Sequence, residues 1–102
     1  MKEYRLSITE LAQQDLHLAK AFYNDQAPNL GQFFVDALLV DLESLQFYAG
    51  IHLKEYDFYR MLAKRFPYAI YYDIENDTAV IHAVLDTRQN PLITKERLNS
   101  ID

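Results

Sequence analysis

The chain has 102 residues, half of them apolar, with no cysteine and a formal net charge of −5. That composition fits one compact domain over residues 1–102. It excludes disulfides and thiolate metal sites, and it argues against a surface that tracks phosphate backbones in general or reads DNA sequence directly. Two glycines and three prolines leave no flexible linker. No apolar run approaches the ~18 residues of a membrane span, and the start, Met1-Lys2-Glu3-Tyr4-Arg5-Leu6, lacks the apolar core of a signal peptide. A cytoplasmic protein with no membrane partner is therefore expected.

Tyr4-Arg5-Leu6-Ser7-Ile8 alternates, which predicts a short first strand. Ser7 and Glu10 have capping-box spacing, and Thr9 is a rival N-cap, so a helix is expected from about residue 9. Ala12, Leu16, Ala19 and Tyr23 follow at steps of four, three and four, which places them on one helical face. The stretch Asn24-Asp25-Gln26-Ala27-Pro28 breaks that helix, and Pro28 suits the first turn of a second one. Its buried stripe reads Leu30, Phe34, Ala37, Leu38, Leu42, Leu45, with Asp36, Asp41 and Glu43 mainly on other faces. Gly50 supplies a left-handed end. A short break between two helices predicts an antiparallel hairpin.

From Phe58 the period changes to two. Phe58–Leu62, Tyr68–Ile74 and Thr78–Leu85 are strand candidates, with Asn76-Asp77 as a tight turn between the last two. Consecutive antiparallel pairing is the simplest topology. Pro91 then opens a short terminal helix or turn over Leu92–Leu98. The order β-α-α-β-β-β is an α+β arrangement, a helical hairpin packed on one face of a small antiparallel sheet. Leu16, Phe34, Leu38, Leu42, Ile70 and Leu85 are expected to share its core.

Charge is unevenly spread. Residues 1–50 carry seven acids against Lys2, Arg5 and Lys20, whereas residues 58–72 carry Arg60, Lys64 and Arg65 with no acid. With Arg88 these form the chain's positive constellation. Solvated edge charge accounts for it, and so does a site for phosphate or for a carboxylate-bearing partner. Among the aromatics, Tyr68 and Tyr72 share one strand face and Tyr71 takes the other, so core packing competes with a binding role for Tyr71.

His17, His52 and His82 have no metal-ligand spacing; alternation puts His82 on the face of Val80 and Val84. Asp73, Glu75 and Asp77 fit solvated turn residues better than a metal site. No serine has nucleophile-elbow context and no phosphate-binding glycine loop exists. No metal or cofactor is expected.

The order and spacing of several fragments carry a resemblance. They are Asp15-Leu16, Ala27-Pro28-Asn29-Leu30-Gly31, the Phe34, Leu38, Leu42, Leu45 stripe, Arg60-Met61-Leu62, the run Arg65-Phe66-Pro67-Tyr68-Ala69-Ile70-Tyr71-Tyr72, and the run Ala83-Val84-Leu85-Asp86-Thr87-Arg88-Gln89-Asn90-Pro91. Over residues 4 to 98 the chain resembles the RelE/ParE superfamily of bacterial toxins from type II toxin–antitoxin (plasmid stabilisation) systems. The resemblance implies a growth-inhibiting toxin and a cognate antitoxin whose tail wraps it; the acidic helical half beside a basic hairpin suggests that this tail combines apolar anchors with carboxylates facing Arg60 or Arg65. The resemblance also implies one of two targets: DNA gyrase, bound without catalysis by ParE-like members, or the ribosome, where RelE-like members cleave messenger RNA.

Departures from the ribonuclease pattern favour the first branch. Ala69 stands where RNA-cutting members often have Arg, Arg88-Gln89 keeps one of two basic residues, and Thr94 stands where a Tyr occurs. On the alternative branch the catalytic candidates are Arg60, Arg65 and Arg88. The residues expected to bind target or antitoxin are Arg60, Lys64, Arg65, Tyr71 and Arg88.

Overall fold

A computed structural model describes residues 2–101. The chain runs β1 (Arg5–Ile8), α1 (Glu10–Gln26), α2 (Leu30–Glu43), α3 (Leu45–Tyr48), β2 (Lys54–Glu55), β3 (Phe58–Leu62), β4 (Tyr68–Glu75), β5 (Thr78–Asp86) and α4 (Pro91–Asn99). The α+β class and the order of the expected elements hold. Thr9, not Ser7, caps α1: its Oγ1 accepts the Ala12 N–H at 3.2 Å, while Ser7 is held in β1. Pro28 lies outside α2, which begins only after Asn29 turns through a left-handed conformation at φ 65°.

The two long helices touch closely where they turn. A Cβ on Gly31 would stand 2.3 Å from the Lys20 carbonyl oxygen, so only glycine fits at that distance. The Gly31 N–H donates to Asn24 Oδ1 at 2.8 Å, tying the start of α2 to the last turns of α1.

The sheet order is β1-β5-β4-β3-β2. The β3-β4-β5 meander is antiparallel as expected, but β1 joins the outer edge of β5 in parallel, so the sheet is mixed. Strand periodicity carries no information about which free edge a separate strand takes or in which direction. The two-residue β2 is too short to show any period. It pairs with β3 through a turn at Tyr56 and Asp57, both left-handed at φ 55° and 69°, as in a type I′ hairpin.

Two apolar clusters lie on opposite faces of the sheet. Leu16, Tyr23, Phe34, Leu38, Leu42, Met61, Ile70, Tyr72, Ile81 and Val84 fill the space under the helical hairpin. Phe58, Ala69, Tyr71, Ala83 and Leu98 fill the other face, with Leu85 beside them. Leu85 therefore does not share the core of Ile70. A β-bulge explains it: Tyr71 pairs with Ala83 and Tyr72 with Ile81, so His82 is the extra residue and the alternation inverts beyond it. Val84 turns toward the helices, and His82 does not share its face.

Asp41 is a second correction. It is buried, and its Oδ2 accepts the Lys64 N–H at 3.1 Å, anchoring the β3–β4 turn to α2. Among the described residues no helix is long and apolar enough to cross a membrane.

Candidate functional site

The five expected site residues fall in three places. Arg60, on β3, points to the sheet face away from the helical hairpin, and its Nε donates to Tyr71 Oη at 3.1 Å. Tyr71 itself is buried among Phe58, Ala83 and Leu98, so its ring is core and its hydroxyl alone meets the site. These two residues line a cleft with Glu55, Gln89 and Thr94 whose volume, ≈ 110 Å³, is below the roughly 300–1,000 Å³ usual for ligand pockets. Arg60 also stands 3.7 Å from Glu55 Oε2, a half-exposed contact of little energetic weight.

Lys64 and Arg65 sit together in the β3–β4 turn, along a groove of ≈ 330 Å³ shared with Phe33, Ala37 and Val40 of α2 and with the carboxylates of Asp36 and Asp41. The Arg65 guanidinium lies 6.0 Å from the Phe33 ring centroid, at the edge of cation–π range. Phe33 and Val40 are 48% and 64% exposed, a large apolar surface beside two cations.

Arg88 is held by Asp86, which also lines the Arg60 cleft. Its guanidinium forks onto Asp86, Nε to Oδ1 at 3.0 Å and Nη2 to Oδ2 at 2.8 Å. These bonds hold the Asp86 carboxyl below its ordinary range and raise the guanidinium further. Behind Asp86, burial above all and then the neighbouring Tyr23 push the Tyr68 phenol up to about 12. Arg60, Arg65 and Arg88 thus each have separate neighbours: Tyr71, Phe33 and Asp86.

Periodicity does not reveal the polar contact that organises this end of the fold. Asp15 on α1 and Arg97 on α4 form a two-pronged pair, with both N···O distances 2.8 Å, and Asp15 Oδ2 also accepts the Val84 N–H at 3.0 Å. It fastens α4 across the end of the sheet, with Leu98 seated in the second cluster. A second omission is apolar. Leu11, Leu18 and Phe22 form an exposed stripe on α1, and Ile51, Leu53 and Leu62 are exposed around the β2–β3 edge. The seven- and four-residue spacing of the α1 set was available in the sequence beside the buried stripe.

His52 has a structural role. Tyr72 Oη accepts the Gly50 N–H at 2.9 Å and shares a second hydrogen bond with His52 Nδ1. Burial lowers the His52 pKa from 6.5. Its contribution to stability is therefore present above about pH 6.5 and is lost as pH falls through the lowered value. The urea midpoint should drop between about pH 7 and pH 5, and His52→Gln should drop less over the same interval. Equal drops in both proteins would remove His52 as a source.

A family model described as "ParE toxin of type II toxin-antitoxin system, parDE" matches residues 6–91, from β1 to the first residue of α4. Among solved structures the chain is similar to one titled "Chromosomal ParDE TA system from P. aeruginosa", with a TM-score of 0.77 and 16% identity. That match covers 84% of this chain and 98% of the other, and at such identity it bears on the fold. No curated protein matches. With the family match extending over most of its length, the chain belongs to the ParE toxin family of type II toxin–antitoxin systems.

Proposed function

We infer that this protein is a cytoplasmic, non-enzymatic toxin that arrests growth by occupying a protein target such as DNA gyrase, and that a cognate antitoxin neutralises it. One observation carries the inference. On the sheet face away from the helical hairpin Leu98 of α4 packs against Tyr71 and Phe58, Arg60 stands beside them bonded to Tyr71, and the three arginines have separate neighbours. Stabilising a phosphorane requires preorganised donors aimed at one point, and losing one such donor typically costs ~10²–10³ in rate. Exposed apolar surface beside cations suits a protein partner instead.

The groove of Phe33, Val40, Lys64 and Arg65 fits an antitoxin segment that pairs an apolar anchor with carboxylates.

Inducible expression with two readouts tests the mechanism. Growth arrest should come with altered DNA supercoiling and with intact transcripts. Abundant in-frame transcript cuts that disappear in Arg88→Ala would replace this reading with the ribosome-dependent endoribonuclease.

A further inference from the structure

His82 sits at the bulge in β5. Alternation from Thr78 and Val80 places it on the sheet face away from the helical hairpin, the face that Asp73 and Glu75 of β4 also take, and the bulge reverses the faces only after it. One donor atom from each of the three lies within 4.8 Å of the others, the one such trio found among the described residues. His82 Nε2 and Asp73 Oδ1 approach to 3.1 Å. Among the described residues neither atom has a hydrogen-bond partner of good geometry, and both are shut off from solvent. Facing polar atoms left this way are rare in folded proteins and ask for an explanation.

We propose that Asp73, Glu75 and His82 bind a divalent transition-metal ion, with zinc the best match. One imidazole nitrogen and two carboxylates are a zinc-type donor set, whereas calcium and magnesium take oxygen alone. Adjacent ligands each ~2.0–2.1 Å from a zinc ion stand about 3.0–3.4 Å apart, which the Nε2–Oδ1 separation already meets. Glu75 is exposed, and its carboxylate, within 4.8 Å of the other two donor atoms, supplies the third ligand. The Phe58 ring, 5.1 Å from the imidazole centroid, backs His82 and limits its rotation. Water completes the shell. Because the ligands come from both strands of the β4–β5 hairpin, the ion clamps the hairpin at its bulge and stabilises only the folded chain.

The test uses the full-length, untagged, metal-free protein near neutral pH, titrated with Zn²⁺ by calorimetry and with Co²⁺ by visible absorption. One saturable site, ligand-field bands from Co²⁺ and a raised Tm are expected. Glu75→Gln, at an exposed position that the fold does not need, should weaken binding about tenfold or more, and His82→Gln should abolish it. Absence of saturable binding in the unaltered protein overturns the proposal. So does binding undiminished in Glu75→Gln, which would move the ion to another place such as His17 or His52. Should His82→Gln fail to fold, Glu75→Gln decides alone.

Discussion

Asp15→Ala is expected to cost about 3–5 kcal/mol of stability and to release α4 from the sheet. The Asp15 side chain is only 10% exposed and accepts three hydrogen bonds, two from Arg97 and one from the Val84 N–H. Truncation leaves a mostly buried guanidinium with no counter-charge and a strand N–H with no acceptor, both of which cost more than the pair itself contributes. Arg97 Nη2 also reaches the His82 carbonyl at 3.3 Å, so the loss extends to the bulge. Arg97→Ala should cost a similar amount, and the double variant clearly less than the sum, because each single change removes the same contact. Urea unfolding gives the energies, and amide exchange over residues 91–99 reports whether α4 opens first. Additive losses, or α4 amides protected as in the unaltered protein, would show that the pair does not hold this helix.

That contact marks the limit of what the sequence made legible. The β3, β4 and β5 strands follow directly from two-residue periodicity, and the helical hairpin follows from the Leu16–Tyr23 and Phe34–Leu42 stripes, because burying apolar area leaves a regular trace. Polar residues that are buried in pairs leave none. Asp15, Asp41 and Arg97 have the composition of surface residues and acquire their roles from partners 82 and 23 positions away in the chain. The bulge is equally silent: one additional residue in β5 reverses the face of everything after it, which moves Leu85 out of the main core.

The site was legible to a lesser degree. Arg60, Lys64, Arg65 and Arg88 are close in sequence, but convergence depends on which sheet face or turn holds each of them. For Arg88 the signal was present, since Asp86 two residues earlier is positioned to accept its fork. The exposed groove required tertiary structure, because Phe33 and Val40 reach Lys64 and Arg65 only once α2 lies against the β3–β4 turn.

Leu38→Ala and Val40→Asp, two residues apart on α2, are expected to fail in opposite ways. Leu38 is fully buried under the hairpin with Phe34, Leu42 and Ile70, so its truncation should cost ~2–5 kcal/mol, set by how far the cavity collapses. Val40 is 64% exposed, and Val40→Asp should leave stability within about 0.5 kcal/mol. Its effect belongs to the complex. A further carboxylate in a groove that already holds Asp36 and Asp41 removes an apolar contact and competes for Lys64 and Arg65, the cations assigned to the antitoxin's acids. Antitoxin affinity should therefore fall for Val40→Asp and for Arg65→Glu. The Arg65→Glu loss should shrink at high salt as the charge interaction is screened, while part of the Val40→Asp loss persists because it is apolar. Denaturant midpoints and antitoxin Kd values at two ionic strengths separate these outcomes. Antitoxin binding unchanged in both folded groove variants would place the antitoxin elsewhere, with the exposed Leu11, Leu18 and Phe22 stripe of α1 the next surface to probe.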